Sequence, residues 1–484
     1  MDCCNNRITV HNRRDMLKSL SAGFGYIAFA GLAARAAAAT HPRSLLSPQD
    51  AAGPLAPKQG HFKGSAKRVI FLCMDGGPSH VDTFDYKAKL QSDSGKSLSS
   101  GFRQGAKLLG SPWTFRQSGK SGLYISDLFS ETAKHADEMC LFRGMHTTVP
   151  AHAQAQLQMH TGSFQFVRPS LGAWSLYGLG TVNENLPGFV TVNPGRSAQS
   201  YGSAFLPAYY QGSPMRMGGG GGRPGQQARR QRPSADGDAV PNLTNRSYGT
   251  EGQRKQLDLV QKLNGEREKR LKGDDQVEGI IESYELAFRM QSEVPGLVDI
   301  SGENQRTLEM YGIGSQPTDS FGRQCLLARR LAESGVRFIE VTKGGWDHHR
   351  NLKSELESTC QSIDQPIAAL LTDLKQRGML DDTLVLWGGE FGRTPYAQGD
   401  DGRDHNNKGF AMWAAGGGIK GGFSYGSTDD YGVEAVDGKM HIHDWHATIL
   451  HLLGLDHERL TYNYAGRDFR LTDVHGVVAR DVIA

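Results

Sequence analysis

A short apolar run at residues 69–74 most constrains the fold, because it ends abruptly in Asp-Gly-Gly-Pro at 75–78. An apolar run of this length is typical of a strand buried on both faces, as in a parallel sheet. Similar runs lie at 139–143, 188–193, 336–342, 383–388 and 410–415, and helical patterns lie between them at 154–160, 321–334, 352–376 and 446–453. The alternation predicts an α/β fold with a mostly parallel central sheet and helices on both faces.

The 484 residues, 38% of them hydrophobic and 22% charged, are enough for a large globular core. We expect one α/β domain over 67–484, preceded by a flexible arm at 40–66. Residues 215–238 hold five consecutive Gly and several Arg among Gln and Pro, which predicts a disordered loop. The alternative, a basic tail for nucleic acid, is disfavoured because this segment has no interleaved aromatic residues. Residues 252–290 are highly charged with a helical pattern, which predicts a polar helical insert.

Residues 1–39 have the pattern of a twin-arginine signal peptide. Arg13 and Arg14 precede Asp-Met-Leu-Lys, a weakly apolar stretch diluted by Gly, and a run of Ala that offers a cleavage site. The apolar stretch is too short and too rich in Gly for a stable membrane span. We therefore expect the twin-arginine export machinery as a partner, a periplasmic or secreted location, and no stable span in the mature chain.

The formal net charge of +3 comes from this leader, which holds five basic and two acidic residues. The remainder is formally neutral and gives no reason to expect a nucleic acid or a membrane surface as a partner. Four cysteines follow the leader without C-x-x-C spacing, at Cys73, Cys140, Cys325 and Cys360. Because twin-arginine substrates fold in a reducing compartment, we interpret these cysteines as buried small hydrophobic residues and not as disulfides.

Polar side chains follow several of the predicted strands. Parallel strands present their carboxyl ends at one edge of a sheet, where α/β proteins bind ligands, so we expect these side chains to converge. They are carboxylates and imidazoles, which are preferred ligands of Zn²⁺ and similar ions. The candidate metal ligands are Asp75, Asp347, His348, His349, Glu390, Asp404, His405, His443 and His446, and Arg393 is a candidate for bidentate recognition of an oxyanion.

Each candidate ligand also has a plainer interpretation when it is taken alone. These interpretations are a helix cap for Asp75, a solvent-facing position for His348 and His349, a turn for Asp404 and His405, and core packing for His443 or His446. The convergence of the whole set at successive strand ends favours a metal site.

The segment after the run at 139–143 offers a nucleophile. Thr148 precedes the helical pattern at 154–160, where a hydroxyl meets the positive end of the helix dipole. A nearby metal ion would make its alkoxide accessible near neutral pH. Thr148 alternatively caps this helix, and the two roles are compatible.

These residues resemble the alkaline phosphatase superfamily. The matching blocks occur in the same order and are Asp-Gly at 75–76, Thr-x-Pro-x-His at 148–152, Thr-Gly at 161–162, and the segments 384–392, 414–422 and 444–455. The first block is similar to the first metal-binding aspartate of nucleotide pyrophosphatases and sulfatases. The second and third resemble their nucleophile segment.

More narrowly, the chain resembles the secreted branch called domain-of-unknown-function family 1501, over nearly all of 68–484. The motifs that carry this resemblance are the stretch at 74–82, Gly-Trp-Asp-His-His at 345–349, Gly-Glu-Phe-Gly-Arg-Thr-Pro at 389–395, Gly-Arg-Asp-His-Asn at 402–406, and the stretch at 443–476. The resemblance implies an alkaline-phosphatase-like fold.

The narrower resemblance supplies no known reaction. From the candidate residues and the superfamily resemblance, we expect an exported, metal-dependent hydrolase of phosphate or sulfate esters, with a small-molecule or polysaccharide ester as substrate. Two divalent ions are expected, one on Asp75, Glu390 and His405 beside Thr148, and one on Asp347, His348 or His349, and one of His443 and His446. The sulfatase formylglycine mechanism is not expected, because Thr148 stands where sulfatases have the cysteine. The alternative is a non-catalytic metal-holding or glycan-binding protein on the same fold.

Overall fold

The computed structural model of the chain describes residues 54–97, 105–195, 197–217, 249–271 and 275–484. The predicted leader at 1–39, residues 40–53 of the predicted arm and residues 218–238 of the predicted loop lie outside the described residues.

A nine-stranded sheet forms the centre of the fold. The strands of this sheet and of four two-stranded sheets are, in chain order, β1 (Arg68–Asp75), β2 (Phe115–Ser118), β3 (Leu123–Ser126), β4 (Met139–His146), β5 (Phe189–Val192), β6 (Ser213–Met215), β7 (Phe338–Gly344), β8 (Thr383–Gly388), β9 (Gly392–Gln398), β10 (Gly402–Asn406), β11 (Phe410–Ala415), β12 (Phe423–Tyr425), β13 (Ser427–Thr428), β14 (Ala435–Asp437), β15 (Met440–His441), β16 (Tyr462–Tyr464) and β17 (Arg467–Phe469). The order across the sheet is β12, β4, β11, β8, β1, β7, β5 and β6, with β15 beside β4.

Parallel pairing dominates this sheet. β1 pairs in parallel with β7 and β8, and β11 runs antiparallel to both β8 and β4. Each apolar run that the sequence analysis identified as a strand contributes to the sheet. The predicted α/β fold with a mostly parallel central sheet is therefore confirmed.

Helices cover both faces of the sheet. They are His80–Thr83, Ala88–Ser92, His152–Thr161, Leu171–Leu179, Thr250–Leu271, Asp275–Val298, Gln305–Met310, Asp319–Glu333, Leu352–Gln361, Asp364–Gln376 and Ile442–Leu452. Side chains of β1 alternate between two apolar layers: Leu72 lies in one with the helix Asp319–Glu333, and Cys73 in the other with Ile442–Leu452. None of the described helices combines the length and apolarity needed to cross a membrane.

Two predicted segments differ from the structure. The helix expected at 352–376 is broken, because Ile363 leaves helical geometry with φ of −124° between Gln361 and Asp364. The arm expected to be flexible over 40–66 lies against the domain at its end, where the backbone N–H of Ala66 donates to Leu452 at 2.9 Å. Ala66 is also buried among apolar side chains, which does not fit a loose arm.

The region of the predicted helical insert contains the helices Thr250–Leu271 and Asp275–Val298, which pack against each other. Arg254 on the first pairs with Glu285 on the second at 2.7 Å. Met290 and Val294 of the second helix enter the apolar core. This region is thus anchored by apolar side chains, not by charged contacts alone.

Candidate metal centre

The carboxyl ends of β1, β7 and β8 bring the first candidate residues to one edge of the sheet. Asp75 ends β1 and lies directly beside Gly344, the last residue of β7. Asp347 follows β7 by three residues, and Glu390 follows β8 by two. The convergence that was expected from parallel strand ends therefore places these carboxylates close together.

Two glycines after β1 allow the loops at this edge to approach each other. Gly76 and Gly77 have φ of +123° and +70°, which side-chain-bearing residues rarely adopt. A Cβ atom at Gly76 would lie 2.9 Å from the backbone nitrogen of Asp347, and one at Gly77 would lie 2.7 Å from the ring of Phe391. A larger residue at Gly76 would push the loop that carries Asp347 away from β1, and one at Gly77 would displace Phe391 in the loop after β8.

Four side chains from three different segments form one compact donor group. His152, Asp347, His349 and His405 each direct one ligand atom into a region where these atoms lie within 4.8 Å of one another. His152 begins the helix after β4, Asp347 and His349 follow β7, and His405 lies on β10. Below, these four residues are called the outer group.

The three imidazoles of the outer group are held in the same way, through Nδ1. The Nδ1 atom of His152 lies 2.5 Å from Oε1 of Glu390, and that of His349 lies 2.5 Å from Oε1 of Gln398. The Nδ1 atom of His405 lies 2.7 Å from the carbonyl oxygen of Pro150. Since these oxygens accept, each Nδ1 carries a proton, and in the neutral form of each ring the lone pair lies on Nε2.

All three Nε2 atoms meet at Oδ1 of Asp347. The distances to this oxygen are 3.1 Å from His152, 2.8 Å from His349 and 3.5 Å from His405. The Nε2 atoms of His349 and His405 are also only 3.0 Å apart. Two lone pairs and a carboxylate oxygen repel one another at such distances, so the arrangement requires a cation or additional protons.

The separations fit a small divalent ion. Donor atoms bound about 2.0–2.1 Å from Zn²⁺ stand about 3.3–3.4 Å apart in a tetrahedron. The observed donor separations of 2.8, 3.1 and 3.5 Å bracket that value. A histidine whose other ring nitrogen bonds to a carboxylate or carbonyl is the usual arrangement around a metal ion.

The charge of the outer group is set by Asp347 and Arg393. Nη2 of Arg393 donates to Oδ1 of Asp347 at 2.7 Å. Although burial would raise the pKa of Asp347, hydrogen bonds from His152, His405 and Arg393 hold it well below its usual range. Burial alone would lower the pKa of His152, but its contacts with Asp347 and Glu390 raise it to about 9.

Arg393 does not occupy the predicted position for binding an oxyanion. Its side chain is 1% exposed, and its guanidinium donates to Asp347 and to the backbone carbonyls of Gly76, Gly77 and Trp346. With these bonds the guanidinium ties the loops after β1 and β7 together. The expected role in substrate recognition is therefore replaced by a role in positioning Asp347.

Asp75 and Glu390 lie behind the outer group. Nε2 of Gln156 donates to Oδ1 of Asp75 and to Oε2 of Glu390, both at 2.9 Å. Glu390 also accepts from the backbone N–H of Gly76 at 3.1 Å. Burial and the nearby Glu390 raise the pKa of Asp75. Glu390 thus contacts His152 in place of the expected first ligand set with Asp75 and His405.

His443 and His446 do not join the outer group, contrary to the predicted second ligand set. The Nε2 atom of His443 lies 2.7 Å from the carbonyl oxygen of Gly162, and the Nε2 atom of His446 lies 2.7 Å from the carbonyl oxygen of Met159. Burial lowers the pKa of His446 to about 3, so this residue is neutral. For both histidines, the structure supports the alternative interpretation of core packing.

His348 and Asp404 also lie outside the outer group. His348 is buried, and burial together with Arg393 lowers its pKa to about 4. Of the two adjacent histidines, His349 is therefore the one that faces Asp347. Asp404 accepts the backbone N–H of His405 at 2.9 Å. The pairing of β10 with β9 is irregular at Asp404, and such a bulge redirects the next side chain, here His405.

The hydroxyl of Thr148 has two neighbours, both outside the outer group. Its Oγ1 accepts from Nε2 of Gln158 at 2.8 Å and lies 3.2 Å from Nε2 of His441. Nδ1 of His441 accepts the backbone N–H of His443, and burial lowers the pKa of His441 to about 3. His441 is therefore a neutral donor to Thr148 and does not act as its base.

The expected cap role of Thr148 is wrong. The helix begins at His152, and its N-cap is Ala151, without a side-chain hydrogen bond. Thr148 is exposed and belongs to the segment whose Pro150 carbonyl contacts His405. It therefore stays a candidate nucleophile, although its hydroxyl contacts Gln158 and His441 and not the outer group.

His152 and Gln156 were not among the predicted site residues. They lie four positions apart on one helix, as do Gln156 and His160, so the three side chains share one face. A polar stripe with this spacing on an otherwise part-apolar helix was the signal in the sequence. It indicates a helix face turned towards buried polar groups.

A model of the family described as "Protein of unknown function (DUF1501)" matches residues 66–483. A search of curated proteins gave no match. Among solved structures, a sulfatase from Pseudoalteromonas sp. is 13% identical with a TM-score of 0.34, and covers 86% of this chain and 71% of its own.

Two further solved structures are similar at the same low level. The lipoteichoic acid synthase LtaP from Listeria monocytogenes is 9% identical with a TM-score of 0.33, and covers 83% of this chain and 76% of its own. A phosphonate monoester hydrolase from Silicibacter pomeroyi is 11% identical with a TM-score of 0.27, and covers 80% and 73%. At these scores, none of the three structures assigns an activity to this chain.

Proposed function

Because the chain belongs to the DUF1501 family, whose description assigns no reaction, we propose a function from the site itself. We propose that it is an exported hydrolase of phosphate or sulfate esters that depends on a divalent metal ion held by His152, Asp347, His349 and His405. One ion on this outer group replaces the two ions of the sequence-based expectation.

One observation carries the proposal: the Nε2 atoms of three imidazoles converge on one carboxylate oxygen of Asp347. The Nε2 atoms of His349 and His405 face each other at 3.0 Å, while the Nδ1 atoms of both rings are bonded elsewhere. Three imidazoles and one carboxylate match the ligand preferences of Zn²⁺ and related ions. A divalent ion in this place would relieve the repulsion among all four donors.

The outer group is accessible to a substrate. Asp347 is 48% exposed, and the side chains of His152, His349 and His405 are partly exposed. A bound ion would act as a Lewis acid that polarises an ester oxygen at phosphorus or sulfur. The residues of the chain would supply orientation: Glu390 fixes the ring of His152, and Arg393 fixes the carboxylate of Asp347.

The second candidate function is a protein that holds a metal ion without turnover. The observation that favours it is the position of Thr148, whose Oγ1 is bonded to Gln158 and directed at His441 instead of at the outer group. Hydrolysis then requires either a rotation of Thr148 or a water molecule as the attacking group.

Metal content and turnover should be measured together in the purified protein. We expect about one divalent ion per chain bound by the outer group, and hydrolysis of p-nitrophenyl phosphate or p-nitrophenyl sulfate. His349→Ala should lose that ion and the activity, whereas His451→Ala, outside the group, should keep both. An ion without hydrolysis of either ester would favour the metal-holding protein, and equal metal content in wild type and His349→Ala would refute the proposed site.

A further inference from the structure

A second donor group lies at the other end of the helix His152–Thr161. Cys73 on β1, His160 on this helix and Glu340 on β7 place ligand atoms within 4.8 Å of one another. Sγ of Cys73 lies 3.9 Å from Nε2 of His160, which lies 3.2 Å from Oε2 of Glu340. All three residues are buried. They are called the inner group below.

Glu340 occupies an unusual position for a carboxylate. It lies in the middle of the sheet, paired with Phe71 of β1 on one side and Thr191 of β5 on the other. A buried charge is costly unless it is paired and hydrogen-bonded. Oε1 accepts from the hydroxyl of Thr342 at 3.2 Å, which leaves Oε2 for His160.

An ion pair between His160 and Glu340 explains only part of this arrangement. Nδ1 of His160 lies 2.7 Å from the carbonyl oxygen of Gln156 and so carries a proton. Nε2 then faces the carboxylate, and its single proton bonds one acceptor. The pair alone gives no reason for the thiol of Cys73 to face the same Nε2 atom from the adjacent strand.

We propose that Cys73, His160 and Glu340 bind a second divalent metal ion of the zinc type, buried and separate from the outer group. A thiolate, an imidazole and a carboxylate are all common zinc ligands. In a tetrahedron around Zn²⁺, sulfur and nitrogen would stand about 3.5 Å apart and nitrogen and oxygen about 3.3 Å. The observed 3.9 Å and 3.2 Å are close to both values.

The charges balance in the buried site. Binding forms bonds from the metal to sulfur, nitrogen and oxygen, and releases the thiol proton of Cys73 and the Nε2 proton of His160 to solvent. The dication, the thiolate and the carboxylate then sum to zero. No electron is transferred, so no oxidant or reductant is required.

A small cavity lies beside the inner group. It has a volume of about 10 Å³, and its lining consists of His160, Glu340 and mainly apolar residues such as Phe71, Phe189 and Phe338. This volume admits at most about one water molecule. An ion in the inner group would therefore lie in a closed site with three protein ligands.

Gln156 lies between the outer group and the inner group and makes hydrogen bonds on both sides. Its backbone carbonyl holds Nδ1 of His160, while its side-chain amide bridges Asp75 and Glu390 behind the outer group. An ion on His160 would therefore hold in place the helix that carries His152.

Cobalt replacement and X-ray absorption test the inner group directly. Full-length protein produced with Co²⁺ should show a thiolate-to-cobalt charge-transfer band in the near ultraviolet. The band should persist in His349→Ala, which removes one ligand of the outer group and leaves the inner group unchanged. It should disappear in Cys73→Ser. Cys140→Ser is the matched control, since Cys140 is equally buried but belongs to no such donor group among the described residues.

X-ray absorption of zinc-loaded His349→Ala decides the question without changing the cysteine. One sulfur atom about 2.3 Å from the metal is the expected result. No sulfur neighbour in the folded protein, or a cobalt band that survives in Cys73→Ser, would overturn the proposal. If Cys73→Ser fails to fold, the absorption measurement stands alone. A failed outer site gives a different pattern: unchanged metal content in His349→Ala.

Discussion

The Nδ1 atom of His152 lies 2.5 Å from Oε1 of Glu390, and this contact turns the other ring nitrogen towards Asp347. Glu390 is fully buried and is held in turn by Gln156 and by the backbone N–H of Gly76. The carboxylate therefore fixes both the tautomer and the orientation of His152. A partner of this kind around a metal ligand raises the basicity of the imidazole.

Glu390→Gln should weaken metal binding without unfolding the protein. The amide keeps the shape of the carboxylate but removes the charge that supports the Nδ1 proton of His152. Loss of such a partner typically lowers metal affinity about 10–100-fold. Competition with a chromogenic chelator measures the change. Glu355→Gln, at an exposed position, should bind as tightly as wild type, and an unchanged affinity in Glu390→Gln would separate Glu390 from the metal centre.

Removal of the metal should lower the free energy of unfolding. The outer group joins the helix after β4, the loop after β7 and the strand β10, so an ion there stabilises only the folded chain. An ion present at 100 times its Kd contributes about 2.7 kcal/mol. Thermal unfolding should show a lower Tm after chelation and recovery when Zn²⁺ is added. His349→Ala should recover less, and an equal recovery would place the stabilising ion elsewhere.

A buried ion pair supports the strand that carries His405. Nε of Arg403 donates to Asp82 at 2.7 Å and Nη2 at 3.0 Å, and both side chains are fully buried. Asp82→Ala leaves the guanidinium unpaired, and we expect a loss of about 3–5 kcal/mol in urea denaturation. Asp430→Ala breaks the exposed pair with Lys89 and should change stability far less. Equal losses in the two variants would contradict this account.

The sequence was sufficient for the sheet because its signals are local. The runs at 69–74 and 384–387 are continuously apolar, and so short a run is typical of a strand buried on both faces. The position of Asp75 and Asp347 at one edge then follows from the parallel order of the strands. No side-chain detail is needed for that step.

The sequence alone does not show which of the histidines are metal ligands. His405 and His446 both bond to a backbone carbonyl, but His405 does so through Nδ1 and His446 through Nε2. That choice leaves Nε2 of His405 free for a metal and commits Nε2 of His446 to core packing. It depends on ring orientation and on partners distant in sequence, Pro150 and Met159. Neither is encoded in the spacing of the histidines.

Export stays a prediction, because the twin-arginine motif lies outside the described residues. Substitution of Arg13 and Arg14 by Lys should keep the positive charge but remove the pair that the export machinery recognises. The variant should accumulate in the cytoplasm, which cell fractionation followed by immunoblotting measures. Arg7→Lys is the control, since this residue precedes the motif. Normal delivery of the double variant to the periplasm would show that the leader uses another route.

Thr148→Ala tests whether the hydroxyl of Thr148 attacks the ester. Thr148 is not a helix cap, because the helix begins at His152 with Ala151 as its N-cap, so removal of its hydroxyl should change stability little. If the hydroxyl attacks the ester, the variant should lose turnover while its metal content stays at the wild-type level. Thr147→Ser is a suitable control, because the neighbouring hydroxyl bonds to Gln158 and Ser preserves that bond. Full activity in Thr148→Ala would assign the attack to water, and loss of metal together with activity would show that the segment at Pro150 holds His405 in place.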